Sequence, residues 1–81
     1  MADDYRGYRD ESLETLKSFD ARVWSDVEVQ TESGAFTGIV LPRSETADAH
    51  HIVLKLRSGY NIGIAAKNVR AITVHGRARR S

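Results

Sequence analysis

Histidine, carboxylate and threonine are the side chains of this sequence with the chemistry to hold a metal or break a bond, and their spacing argues against both. His50 and His51 are adjacent in "AHHIVLKL", where Ile52, Leu54 and Leu56 alternate as on a strand. Neighbouring strand residues point to opposite faces, so two such imidazoles do not converge on one ion. His75 is distant in sequence and there is no cysteine, so neither a metal site nor a disulfide is expected, and no cofactor is implied. The pairs Asp3–Asp4 and Asp10–Glu11 lie near the N-terminus, where solvation keeps carboxylates ionised and nothing argues for the burial that a proton donor needs. Thr15, Thr31, Thr37, Thr46 and Thr73 lack any evident base relay or oxyanion pocket. No glycine pattern opens a helix after a strand, as a phosphate cradle would.

What remains is binding chemistry. Lys55, Arg57 and Asn61 fall on the outer face of one strand pair, with Tyr60 at its tip and Arg43 in the long loop before it. Cations beside an amide suit an acidic protein patch or a phosphate backbone. Charge that guards a sheet edge against aggregation is the competing reading. The docking reading expects loop 42–50, Arg43 and the tip Lys55, Arg57, Tyr60 and Asn61 on one surface.

Positioning these side chains takes a particular set of elements. Leu13, Leu16 and Phe19 recur at helical spacing in "DESLETLKSF", which predicts a helix over 11–19 with Asp10 or Ser12 capping its first amides. From Val23 the period becomes two. Val27 and Val29, then Phe36, Gly38 and Val40, then Ile52, Leu54 and Leu56, then Ile62 and Ile64, then Ile72 and Val74 make five short strands. Residues 67–69 have the length of a single 3₁₀ turn.

Hydrophobic phase sets the register. A three-residue loop Arg57–Gly59, with Gly59 left-handed, pairs Leu56 with Tyr60, Leu54 with Ile62 and Ile52 with Ile64. A two-residue turn at Ser33-Gly34 would set Thr31 opposite Phe36, Val29 opposite Gly38 and Val27 opposite Val40. Gly38 and Gly63 are where strands can bend. Trp24 is expected to seal the helix against the sheet. The fold class is mostly β: a small five-stranded SH3-like or Sm-like barrel preceded by one short N-terminal α-helix.

At 81 residues the chain has room for one modest core and no separate catalytic body. The net charge of +1 hides opposed ends: residues 1–20 hold six acids against three bases, and residues 70–81 hold four arginines and no acid. The reading is a flexible segment at 1–10, the helix and barrel at 11–75, and a basic tail or start of a linker at 76–81. No signal peptide or bilayer-spanning run is present, and a cytoplasmic location is expected.

The stretch "GIVLPRSETADAHHIVLKLRSGYNIGI", with "DVEV" before it and "YRG…L" near the N-terminus, resembles the N-terminal domain of the D subunit of archaeal glutamyl-tRNA(Gln) amidotransferase, the GatDE type. The likeness covers about residues 5–74. It implies a role in making Gln-tRNA(Gln): an asparaginase-like D subunit frees ammonia, and an E subunit uses ATP and magnesium to amidate the mischarged glutamate. The family's Gly-Gly-Thr motif and catalytic threonines have no counterpart in these residues, so the chain alone is expected to be inert. The implied partners are the catalytic domain of the same subunit, the E subunit, or both, with any RNA contact indirect. The alternative is a stand-alone Sm-like RNA-binding module; against it, "AAKNVRAI" has Asn68 but no adjacent glycine.

Overall fold

The computed structural model describes residues 2–42 and 48–77. A 3₁₀ turn at Ala2–Tyr5 leads to helix α1, Asp10–Ser18. Strands β1 (Ser25–Thr31), β2 (Gly34–Val40), β3 (His51–Leu56) and β4 (Asn61–Ala65) follow; a 3₁₀ turn at Ala66–Asn68 then leads into β5, Val69–Arg77. The strands form one antiparallel sheet in the order β4-β3-β2-β1-β5. Its inward residues Val27, Val29, Val40, Ile52, Leu54, Ile64 and Ile72 share one core with Leu16 of α1. This is the expected mostly β, barrel-like domain with one short helix.

The leucine stripe buries as its period dictates, with Leu16 fully inside and Leu13 and Phe19 packed against the core. The helix ends where Asp20 turns left-handed (φ 55°), and the Ala21 N–H donates back to the Leu16 carbonyl at 2.9 Å. Its start corrects the sequence expectation. Neither Asp10 nor Ser12 caps it: Arg9 holds the cap position with no side-chain hydrogen bond to the helix's first amides, and the buried Ser12 hydroxyl donates to the Arg9 carbonyl. The Ser12 amide donates instead to the Ala49 carbonyl at 2.9 Å, so the long loop satisfies what a local side chain was expected to.

The β3–β4 hairpin has the expected register, with Ile52 opposite Ile64, Leu54 opposite Ile62, and the Leu56 N–H bonded to the Tyr60 carbonyl. Gly59 takes φ 100°, a conformation that strains any residue with a Cβ. The β1–β2 hairpin differs from expectation by two residues: Thr31 faces Gly34, Val29 faces Phe36 and Val27 faces Gly38. A slip of two keeps every side chain on its face, so hydrophobic phase cannot distinguish the registers. Thr31 decides it locally. Its hydroxyl donates to the Gly34 carbonyl and accepts from the Ser33 N–H, closing the turn over Glu32-Ser33.

Two features reinforce the short β2–β3 ladder, which runs from Gly38–Leu56 to Val40–Leu54. At Gly38 the strands come so close that a Cβ would overlap the Lys55 carbonyl oxygen. Further along, the Leu41 N–H donates to the Val53 carbonyl, but the return bond runs through Tyr8: its hydroxyl donates to the Leu41 carbonyl (2.7 Å) and accepts from the Val53 N–H (3.0 Å). Tyr8 is buried. The segment read as a flexible 1–10 lead thus contributes, at Tyr8, a latch between two strands. At the other end β5 runs to Arg77, beyond the expected boundary at 75.

Tyr8→Phe leaves the part-buried Val53 N–H and Leu41 C=O without this partner, and urea denaturation should show a loss of about 1–3 kcal/mol. The same titration should separate two glycines: Gly38→Ala costs about 2 kcal/mol or more, whereas Gly63→Ala, whose new Cβ meets only a His51 ring carbon at 4.0 Å, stays within about 1 kcal/mol of the parent.

Candidate functional site

The alternation of β3 and β4 places the candidate site. With Ile52, Leu54, Ile62 and Ile64 inward, Lys55 and Asn61 fall on the outer face as directly opposed partners. Cross-strand pairing extends this row: Lys55 is opposite Ile39 of β2, and Ile39 is opposite Asp26 of β1. Arg57, in the turn, folds back over the row, and its guanidinium Nη2 lies 3.4 Å from the Asp26 carboxylate. Asp26, Gly38, Ile39, Lys55, Leu56 and Arg57 line a shallow concavity of about 260 Å³.

Tyr60 stands apart in parity. It opposes Leu56 at the mouth of the barrel, on the inward side of the ribbon, yet it is 74% exposed, well above any other large hydrophobic residue among those described. The tip therefore offers an aromatic ring on one side and a lysine–amide pair on the other. Among the described residues Lys55 makes no ion pair, whereas Arg57 is engaged by Asp26.

The structure brings together Lys55, Arg57, Tyr60 and Asn61. Arg43 lies outside the described residues. Of the described ends of its loop, Leu41 donates its N–H to the Val53 carbonyl midway along β3 and residues 48–50 precede His51, whereas the tip follows Leu56. The expectation of one surface shared by the loop, Arg43 and the tip rests on residues 43–47 and falls outside the described residues.

The loop end organises a second cluster. Asp48 accepts from the His50 N–H (2.7 Å) and meets the His51 Nδ1 (3.0 Å), while the His50 Nδ1 lies 3.0 Å from the Glu11 carboxylate of α1. Each imidazole thus has its own carboxylate. With Ala65 and Lys67, the residues Glu11, His50 and His51 line a concavity of about 490 Å³. Among the described residues no three His, Asp or Glu side chains converge as metal ligands, and no helix is long and apolar enough to cross a membrane.

A third cluster is structural. Arg22 reaches the carboxylates of Asp20 (3.1 Å) and Asp4 (3.6 Å), tying the N-terminal 3₁₀ turn to the segment before β1. Its pKa is raised, first by the hydrogen bond with Tyr5 and then by the charges of Asp20 and Asp4. Trp24, left-handed at φ 74°, donates its N–H to the Val40 carbonyl and packs half-buried on the core.

These features define a helix-led small β-barrel that presents a polar and aromatic hairpin tip. The chain belongs to the GatD N-terminal domain family, whose profile matches residues 21–74. It is 33% identical over 64 residues to the D subunit of the glutamyl-tRNA(Gln) amidotransferase of Methanobrevibacter smithii, covering 79% of this chain and 15% of that protein. The same subunit of Methanopyrus kandleri is 31% identical over 70 residues (85% of this chain, 15% of that protein). That of Methanothermobacter thermautotrophicus is 38% identical over 63 residues (78% and 14%). The chain spans about one-seventh of the length of these curated relatives.

An aromatic ring this exposed contributes little to folding. Tyr60→Ala should shift the stability measured by thermal denaturation by no more than about 0.5 kcal/mol, the range of surface substitutions without a packing role.

Proposed function

We propose that this domain is a non-catalytic docking module of a D subunit that frees ammonia for the conversion of Glu-tRNA(Gln) to Gln-tRNA(Gln) by a two-subunit amidotransferase. The D-subunit identity of its relatives and the small share of them that it spans support this reading, because the amidohydrolase chemistry then belongs to the remainder of the subunit. The observation that carries the docking role is Tyr60, exposed at the hairpin tip across the ribbon from Lys55 and Asn61. Exposed tyrosine flanked by polar groups has the character of an interface anchor: the ring supplies contact area with few rotors to immobilise.

The partner is the catalytic body of the D subunit, the E subunit, or both. A protein surface fits better than RNA. A phosphate backbone is held by several free cations along its path, and here Arg57 is committed to Asp26. Any approach to tRNA is then indirect, through the E subunit.

Binding of the 81-residue chain to a purified D-subunit catalytic body and to purified E subunit can be measured by surface plasmon resonance. Retention of at least one is expected, and Tyr60→Ala combined with Lys55→Glu should weaken it about tenfold or more. Equal binding by the double variant, or no binding to either protein, contradicts the assignment.

A further inference from the structure

The sheet ends in two edges of unequal character. The β5 edge is guarded: its pairing with β1 shifts register twice, at Asp26/Val27 and Gln30/Thr31, and Arg70 is held by Glu32 at 3.1 Å. The β4 edge, "NIGIA", carries no charge, no proline and no bulge, and pairs continuously with β3 from Lys55–Asn61 to His51–Ala65.

Hydrogen bonds at its two ends fix which way its backbone faces. The Leu56 N–H donates to the Tyr60 carbonyl at 2.8 Å, and the Ala66 N–H donates to the His50 carbonyl at 2.7 Å. Alternation between those points turns the main-chain groups of Ile62 and Ile64 toward β3 and those of Asn61, Gly63 and Ala65 outward. The Ala65 carbonyl, at the cap of the 3₁₀ turn Ala66–Asn68, accepts that turn's first bond; among the described residues nothing takes the outward N–H groups of Asn61, Gly63 and Ala65 or the carbonyls of Asn61 and Gly63. Beside them a cleft of about 290 Å³ separates β4 from the β1–β2 hairpin, lined by Phe36, Ile62, Ile64 and the exposed Asn68, whose amide can both donate to and accept from a peptide group.

Charge selects the occupant. Lys55 stands opposite Asn61 at one end of the bare strand and Lys67 lies two residues beyond Ala65 at the other, and neither makes an ion pair among the described residues. Two copies pairing antiparallel about Gly63 would bring Lys55 of each toward Lys67 of the other, which opposes self-association. An uncharged strand with an acid at each end meets both lysines. We propose that the free edge of β4 receives an extended, acid-flanked segment of another protein chain as a sixth strand, with one apolar side chain in the cleft beside Phe36 and Ile62. The proposal rests on the docking reading for there being a partner, but its contacts are the backbone of β4 and the two flanking lysines, without the Tyr60 ring.

The probe is a capped peptide, Asp-Val-Thr-Val-Thr-Val-Asp, titrated into the isotope-labelled 81-residue chain while amide exchange is read by NMR. Exchange at Asn61, Gly63 and Ala65 should slow by about tenfold or more at saturation, with the β5 amides unchanged. A peptide with lysine in place of both aspartates should bind at least about tenfold more weakly. Ala65→Pro tests the edge alone, since Ala65 has φ −64° and an outward N–H, so proline fits its backbone and leaves the β3–β4 ladder intact. That variant should lose the peptide and keep its denaturation midpoint; if it unfolds, the exchange map of the unsubstituted chain decides. No slowing at the three amides, equal affinity for the lysine-flanked peptide, or concentration-dependent slowing without peptide, the mark of self-pairing, would each overturn the proposal. Tyr60→Ala should bind the peptide like the parent even where subunit binding is lost, so failure of edge pairing and failure of tip docking are told apart.

Discussion

The three-residue turn Arg57–Gly59 sets the parity on which the rest depends. Because strand side chains alternate, one residue more or less in that turn would exchange the faces of β4 relative to β3. With three, four aliphatic side chains point inward as two facing pairs, and the same geometry places Lys55 beside Asn61 outside and turns the N–H groups of Asn61, Gly63 and Ala65 away from β3. Core, candidate tip and open edge are therefore one consequence of one turn. Gly59 makes the turn accessible, because its φ of 100° is strained for any other residue.

A hairpin alone is marginal in water, so the ribbon must be held by neighbours. The close approach at Gly38 and the hydroxyl of Tyr8 do this at two points along the β2–β3 seam. Tyr8 also couples the N-terminal segment to the sheet, while Ser12 and Glu11 couple the helix to the loop end that starts β3. The hairpin is thus anchored along its inner strand and left open along its outer one, the arrangement expected of an element that positions a contact surface. Rigidity at the anchor lowers the entropy lost when the exposed edge or tip is covered.

Much of this was legible in the sequence wherever periodicity alone decides. The helix stripe Leu13, Leu16 and Phe19, the five strands and the β3–β4 register follow from which residues are apolar and how they are spaced. What stayed hidden depends on contacts between distant residues or on choices that preserve phase. The β1–β2 turn is one: a two-residue slip hides nothing apolar, and only the Thr31 hydroxyl distinguishes the alternatives. The helix cap is another, since the acceptor is the Ala49 carbonyl. Tyr8 gave no sequence signal because a lone tyrosine outside any periodic run looks like a surface residue. At the site, the pairing of Arg57 with Asp26 was equally invisible, and it matters because it removes a free cation from the tip. The unequal guarding of the two sheet edges is readable only once the register shifts of β5 are known.

The chain belongs to the GatD N-terminal domain family, and it spans about one-seventh of the length of the D subunits it matches. The account stands on the parity of β3 against β4, and contacts between Hα protons across the hairpin test it most directly. In an antiparallel ladder these are short at pairs that do not exchange hydrogen bonds. NMR should show them for Lys55 with Asn61, Val53 with Gly63 and His51 with Ala65; contacts of Leu56 with Asn61 and Leu54 with Gly63 would mean a two-residue turn, and would remove the core, the site and the open edge together.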